Sequence, residues 1–217
     1  MGPLRIPPGG LIPRSATTEV MDALTQESLA LRARYDEEPS HSDHVAKLAL
    51  QIFDSLQSWH RMGARPRGLL LAAALLHDIG WSQTPDGKGH HKWSARMICE
   101  HPWKNLSQDE VAIVAQIARY HRKSPPAPEH DEFQALKPAA QKAVMILGGI
   151  LRIADALDRT HSGRIARAEA SVSLESITVR VEATGTWEAE QAMFDNKRNM
   201  LQIIAERPVI CVSHDKS

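Results

Sequence analysis

The sequence L-L-L-A-A-A-L-L-H-D-I-G occupies residues 69–80. It is apolar on every side, which predicts a helix buried among other helices. We expect the helix to end at Gly80 and to carry His77 and Asp78 near its end, an imidazole and a carboxylate that are costly to bury without a partner or a metal. The same dipeptide recurs in a proline-rich loop at residues 130–131 and in the tail at residues 214–215. Only the first copy ends a buried helix, so we predict a helical fold with a polar site at that point.

The composition excludes several broad classes of protein. The chain has 217 residues, of which 42% are hydrophobic and 24% charged, as expected for one soluble globular protein. Lys+Arg and Asp+Glu number 26 each, so no net charge attracts nucleic acid or membrane, and we expect no sequence-specific nucleic-acid partner. The apolar runs at 69–76 and 143–151 are too short to span a bilayer. The N-terminus lacks a signal peptide, and Cys99 and Cys211 form no disulfide framework, which favours a cytoplasmic location.

The pattern of elements predicts a mainly α fold with a small C-terminal appendage. We expect an N-terminal arm and helix over residues 1–36, a metal-binding helical core over 37–164 and an α+β appendage over 165–217. The last helix of the core is expected from about residue 137 to 161, with Gly148 and Gly149 allowing close packing against another helix. Beyond Ile165 the apolar period changes to that of strands, and the order of elements is β-β-α-β.

Residues with metal-ligating side chains cluster at predicted helix ends. They come from five successive helices, and ligands from several helices commonly build a metal site inside a bundle. The candidate ligands are His41, His77, Asp78, His90 or His91, His121 and Asp155. The sequence leaves the choice between the two adjacent histidines open. Asp155 has an alternative role as the ion-pair partner of Arg152 or Arg159 at helical spacing.

The chemistry of this set predicts one or two divalent metal ions. Imidazole and carboxylate ligands without a thiolate suit Mn, Fe or Zn, and Mg if few imidazoles bind. Six ligands exceed what one catalytic metal takes from a protein, whereas two ions sharing Asp78 as a bridge would use all six. Two such ions hold a phosphate and lower the pKa of a bridging water, which is the chemistry of phosphate-ester hydrolysis.

Basic residues flank the proposed site and suit phosphate oxygens. Lys92, Arg122 and Lys123 each adjoin a proposed ligand, so we assign them, with Asp78, to the catalytic set. The alternative is a solvated face or ordinary ion pairs. The remaining basic residues near the site are Lys88, Arg152 and Arg159.

The order of His41, His77-Asp78 and Asp155 resembles the HD superfamily of metal-dependent phosphohydrolases. A closer resemblance is to the C-terminal HD domain of the exopolyphosphatase/guanosine pentaphosphate phosphatase (Ppx/GppA) family. The matching stretches are H-S-D-H-V-A, A-A-L-L-H-D-I-G, G-H-H-K-W-S-A, I-A-R-Y-H-R-K and I-L-R-I-A-D-A-L-D-R. The resemblance implies an HD-domain helical bundle, a divalent metal and phosphate-containing ligands.

Two departures from that family bear on function. Only about forty residues precede His41, too few for the actin-like domain that carries the phosphatase activity there, so we expect it to be absent. Trp93 also stands where the family often has another histidine. The HD portion is sometimes a degenerate binding module in that family, but the intact set of ligands here favours a working metal site.

The expected function is metal-dependent hydrolysis of a phosphomonoester or phosphodiester in a nucleotide or small phosphorylated metabolite. The alternative is a non-catalytic module that binds polyphosphate or a guanosine alarmone and docks on a separate actin-like phosphatase. A metal-free structural bundle is a third, weaker hypothesis. We expect no membrane partner; a homodimer is considered, without a sequence feature that indicates it.

Overall fold

The structure is a computed structural model that describes residues 16–213, with side chains from residue 22 onward. The predicted N-terminal arm and the copy of His-Asp at residues 214–215 lie outside the described residues.

The core is a bundle of helices, which confirms the predicted mainly α fold. α4 packs against α1, α2, α6 and α8, and α8 packs in turn against α2 and α6. None of the helices in the described part of the chain is long and apolar enough to cross a membrane. The helices of the core are α1 (Ala16–Arg32), α2 (Pro39–Ser55), α3 (Gln57–His60), α4 (Ala64–Leu76), α5 (His90–Glu100), α6 (Gln108–Arg119), α7 (Asp131–Gln134) and α8 (Pro138–Ala156).

α4 is the buried helix that the sequence predicts, but it ends at Leu76 rather than at Gly80. The ring of His77 binds the backbone oxygen of Ala74 at 2.7 Å, which occupies a carbonyl of the last helical turn. Asp78 then leads into a short 3-10 helix, Ile79–Gln83.

Gly80 brings this 3-10 helix against the start of α5. A Cβ atom at Gly80 would lie 2.1 Å from the backbone oxygen of His90, so only glycine allows this approach. The amide of Gly80 donates to Ser94 Oγ at 2.9 Å. The contact places the start of α5 beside the end of α4.

α8 also ends earlier than predicted, at Ala156 instead of residue 161. Asp158 lies in the turn that follows. Its side chain accepts a hydrogen bond from the amide of Gly163 at 3.0 Å and contacts the ring of His41 at 2.8 Å. These contacts hold the chain in a turn where the sequence pattern still suggested a helix.

The C-terminal appendage contains a three-stranded sheet, as predicted. β1 (Ile165–Val172) pairs antiparallel with β2 (Ile177–Ala183), and β2 pairs parallel with β3 (Val209–Ser213). The connection from β2 to β3 holds two helices, α9 (Glu188–Lys197) and α10 (Asn199–Ala205), rather than the single helix expected.

The appendage packs on the core through β1, which contacts α2, and through α10, which contacts α8. A Cβ atom at Gly149 would lie 3.1 Å from the backbone of Leu201, and one at Gly148 would lie 2.9 Å from Met200. The prediction that these glycines permit close helix packing is therefore confirmed. The domain boundaries themselves stay predictions.

Candidate metal centre

Two groups of side chains that could hold a metal ion meet where α2, α4, α5, α6 and α8 converge. Within each group, one ligand atom per residue lies within 4.8 Å of the others. The first group is His41, His77 and Asp155, and the second is Asp78, His90 and His121. The structure thus brings together six of the seven residues proposed as ligands, although their roles as ligands stay predictions.

Asp78 lies between the two groups and faces each with a different oxygen. Its Oδ2 lies 3.5 Å from His77 Nε2 and 3.9 Å from His41 Nε2. Its Oδ1 lies 3.2 Å from His90 Nε2 and 3.5 Å from His121 Nε2. This arrangement suits the bridging role that we propose for Asp78 from the sequence.

The adjacent histidines at the start of α5 differ in position. His90 belongs to the second group, whereas His91 lies in neither. The ring of His91 is 6.4 Å from that of His121, and its Nδ1 is buried with no hydrogen-bond partner among the described residues. The geometry favours His90 as the ligand.

Three of the imidazoles are oriented by a hydrogen bond between Nδ1 and a backbone oxygen outside the centre. Nδ1 of His77 binds Ala74 O at 2.7 Å, and Nδ1 of His90 binds Gly87 O at 2.9 Å. Nδ1 of His121 likewise binds the carbonyl three residues earlier, at 2.6 Å. A ring that donates through Nδ1 presents the lone pair of Nε2, and here every Nε2 faces the centre.

His41 is oriented by a carboxylate that sequence reasoning missed. Its Nδ1 lies 2.8 Å from Asp158 Oδ2, and the carboxylate of Asp158 is buried. A carboxylate behind a ligating histidine is a common support of metal sites. The available signal was the position of Asp158, one helical turn after Asp155. His161, which is exposed, also stacks on the ring of His41 with centroids 3.8 Å apart.

Several atoms aimed at the centre have no hydrogen-bond partner among the residues that the structure describes. They are His41 Nε2, His77 Nε2 and Asp78 Oδ1, and all three are buried. A buried polar atom without a partner costs about 1–3 kcal/mol, and more when it is charged. Divalent cations held by the two groups would satisfy these atoms, so the residues present fit a metal ion.

The electrostatics of the cluster are those of a cation site. Burial alone would lower the pKa of His41, but the carboxylates of Asp155 and Asp158 outweigh it and raise the pKa to about 10. Burial holds the pKa of His121 well below its ordinary value, which keeps this ring neutral. Burial would raise the pKa of Asp78, yet the neighbouring imidazoles hold it below its ordinary value, so it stays ionised.

Lys197 is a second residue that sequence reasoning missed. It ends α9 in the appendage, and its ammonium group forms an ion pair with Asp155 Oδ2, while Asp155 Oδ1 lies 3.5 Å from His41 Nε2. Both side chains are mostly buried. No local pattern links two residues so far apart in the sequence. The appendage therefore contributes a charge to the candidate metal centre.

Arg152 does not pair with Asp155 or offer its guanidinium to the site. It is 1% exposed and donates to the backbone oxygens of Tyr120 at 2.9 Å and Lys197 at 3.2 Å. It also donates to Asn199 Oδ1 at 3.2 Å, and its burial lowers its pKa to about 10. The contact with Tyr120 holds the backbone beside His121. The other two contacts lie on either side of Arg198, where α9 ends and α10 begins.

The three basic residues assigned to the catalytic set lie together, in a cavity that Asp78 does not line. Lys92, Arg122 and Lys123 line a cavity of about 370 Å³ with Arg119. Arg122 also reaches the ring of His90, with Nη1 3.0 Å from Nδ1. The lining residues of this basic cavity include His91 but none of the two metal-binding groups. The catalytic role of the three residues stays a prediction.

A second cavity, of about 520 Å³, opens on the metal centre itself. Of the six residues in the two metal-binding groups, His41 and Asp78 line this cavity. Arg159, one of the flanking basic residues, lines the same cavity. We call this cavity the mouth, because it is the route by which a ligand would reach Asp78. Lys88, by contrast, is exposed and pairs with Asp86 at 3.1 Å.

The fold and the site together define an α-helical protein with buried histidine and aspartate groups suited to a divalent cation. The sequence matches the family described as Ppx/GppA phosphatase, domain III, over residues 24–200. The chain belongs to this family, which confirms the resemblance seen in its motifs. The matched region includes every residue proposed as a ligand and reaches through α9 into α10.

We expect metal binding to release about one proton at neutral pH. A pKa of about 10 keeps His41 protonated below that pH, and a cation at Nε2 must displace that proton. The apparent affinity should therefore rise with pH, by about tenfold per unit between pH 6 and 8. Titration calorimetry with Mn²⁺ in buffers of different ionisation enthalpy counts the protons. Asp158→Asn should reduce the release, and an affinity independent of pH would contradict this assignment.

We expect Lys197→Met to bind Mn²⁺ about tenfold more tightly than the unmodified chain. The substitution removes a positive charge that contacts Asp155, and charges about 4 Å apart interact by about 1–4 kcal/mol between water and a protein surface. The exposed Lys142→Met is the matched control and should leave the affinity unchanged. Weaker binding by Lys197→Met would show that the ammonium supports the site instead of opposing the cation.

Proposed function

We propose that this protein is an HD-type metal-dependent phosphohydrolase that cleaves a phosphomonoester or phosphodiester through metal-activated water. The observation that carries the proposal is the set of three buried, unpartnered atoms on His41, His77 and Asp78. Membership of a phosphatase family supports hydrolysis of a phosphorylated compound. The proposed substrates are nucleotides and small phosphorylated metabolites.

In this proposal the two groups of residues hold one ion each and share Asp78. The donor set suits Mn, Fe or Zn, with Mg as a further candidate. When bound, divalent cations in such a centre polarise a phosphate and lower the pKa of a water molecule. The outer contacts of the four imidazoles fix the rings in advance, so ion binding needs little rearrangement of the chain.

The hydroxyl groups of the mouth support water as the nucleophile. Ser42 Oγ donates to Asp36 Oδ2 at 2.7 Å, and Ser82 Oγ donates to Ile79 O at 2.7 Å. Thr84 Oγ1 donates to the backbone oxygen of Gly80 at 3.3 Å. A hydroxyl nucleophile needs an adjacent base that can take its proton, which the backbone oxygens bonded to Ser82 and Thr84 cannot do. Ser42 is only 1% exposed and is therefore withdrawn from a bound ligand.

The basic cavity favours a second candidate function, a regulatory module that binds a polyanion without cleaving it. Among its described lining residues are four cationic side chains and no carboxylate, namely Lys92, Arg119, Arg122 and Lys123. Such a surface suits polyphosphate or a guanosine alarmone. A separately encoded actin-like phosphatase would be the partner in this case.

Metal analysis combined with a panel of phosphoesters tests the proposed function. We expect at least one equivalent of divalent metal in the purified chain and turnover with added Mn²⁺ or Mg²⁺. His77→Ala should lower turnover by about 100-fold or more, because it removes a proposed ligand from a supported site. His101→Ala, which changes a histidine outside both groups, is the matched control and should retain activity.

Two other outcomes would decide between the candidates. Absence of turnover with every ester and both metals would contradict the hydrolase. Binding of polyphosphate that is unaffected by His77→Ala but lost in Arg122→Ala would favour the regulatory module.

A further inference from the structure

The mouth of the metal centre carries carboxylates where a phosphatase for polyanions would carry cations. Asp36, Glu37 and Glu38 line it from the loop between α1 and α2. Among the other described residues that line the mouth and lie outside the metal-binding groups, Arg159 is the one with a permanent positive charge. The mouth therefore has the opposite sign to the basic cavity beside Arg122.

The loop that carries these carboxylates is held in place by its own contacts. Asp36 Oδ1 accepts a hydrogen bond from the amide of Glu38 at 2.9 Å, and Asp36 Oδ2 accepts one from Ser42 Oγ at 2.7 Å. Glu38 Oε2 lies 2.5 Å from Nδ1 of His161, the ring that stacks on His41. Asp36 and Glu38 are thus held at the entrance, and Glu38 is linked through His161 to the ring of His41.

Aromatic surface lies beside the carboxylates in the same mouth. Trp81 is 50% exposed and stacks on the ring of His90 with centroids 4.5 Å apart. Tyr35 lines the mouth as well. Carboxylates together with aromatic rings are the side chains that bind organic cations.

The mouth opens on the candidate metal centre beside His41. His41 lines the cavity, is 4% exposed, and its Nε2 has no hydrogen-bond partner in the part of the chain that the structure describes. A phosphoryl group bound to a cation at Asp78 and His41 would leave the rest of its ester in the mouth, among Asp36, Glu37 and Glu38.

We propose that the substrate is a phosphate ester whose leaving group carries a positive charge, such as the ester of an amino alcohol. This inference rests on the proposed function of the centre. An ammonium group in the mouth is attracted by the three carboxylates and by the aromatic rings. A leaving group that carries a carboxylate or further phosphates is repelled there. Polyanions are therefore poor ligands of the mouth.

Three esters of nearly equal size test the proposal, because only the charge of the leaving group differs. They are phosphoethanolamine, ethylene glycol monophosphate and phosphoglycolate, which have cationic, neutral and anionic leaving groups. In the presence of Mn²⁺ and at low salt, we expect kcat/KM to fall by about tenfold or more from the first ester to the last. Added salt should reduce this difference, because it screens the exposed carboxylates.

A charge-removing variant links the preference to the mouth. Glu37→Gln should reduce the ratio between phosphoethanolamine and phosphoglycolate by about threefold or more. Glu175→Gln is the matched control: it removes the same charge in the exposed turn between β1 and β2, far from Glu37 in the sequence, and should leave the ratio unchanged. A ratio that is equal to one, or that favours phosphoglycolate, would overturn the proposal.

Binding measurements separate failure of this inference from failure of the proposed function. If none of the three esters is hydrolysed, the phosphohydrolase proposal fails, and the Kd values measured with Mn²⁺ present still decide the inference. Tighter binding of phosphoethanolamine than of phosphoglycolate by about tenfold would support the inference. Equal or reversed affinities, or no binding of either ester, would overturn it.

Discussion

The mutual approach of buried imidazole and carboxylate groups is the constraint on which the rest of the structure depends. Four Nε2 atoms face the two oxygens of Asp78 and one oxygen of Asp155 across 3.2–3.9 Å. These atoms have few hydrogen-bond partners of their own, so the folded state is costly unless a cation lies among them. Helices that would otherwise only fill a core instead end together at one point. α4 and α8 both end beside the centre, at Leu76 and Ala156.

The residues that orient the candidate ligands come from many parts of the described chain. Backbone oxygens orient three imidazoles, Asp158 orients His41, and Arg152 joins the end of α6 to the junction of α9 and α10. The ion pair of Lys197 with Asp155 makes the appendage part of the same charge distribution. Metal binding, packing of the appendage and the protonation of His41 are therefore coupled, and a change in one should be seen in the others.

The sequence predicted the parts of this arrangement that depend on local pattern. The apolar run of α4, the histidines at helix ends and the change of period near Ile165 gave the fold class and a candidate set of residues, and the structure brings six of the seven together. Lys197 was missed because its contact depends on how helices cross, which spacing along the chain does not reveal, whereas Asp158 lies one helical turn after Asp155 and could have been found. The grouping of Lys92, Arg122 and Lys123 in a separate cavity depends on the same three-dimensional information. The break at Arg198 lies between two residues that Arg152 contacts, and the helical period of the sequence does not indicate it.

Anomalous diffraction from crystals grown with Mn²⁺ tests the central claim most directly, because it shows where the ions lie. The account predicts two peaks on either side of the Asp78 carboxylate, one beside His41, His77 and Asp155, the other beside His90 and His121. A single peak beside Asp78 would reduce the centre to one ion. Peaks only at sites remote from Asp78, or no peak despite saturating Mn²⁺, would contradict the account.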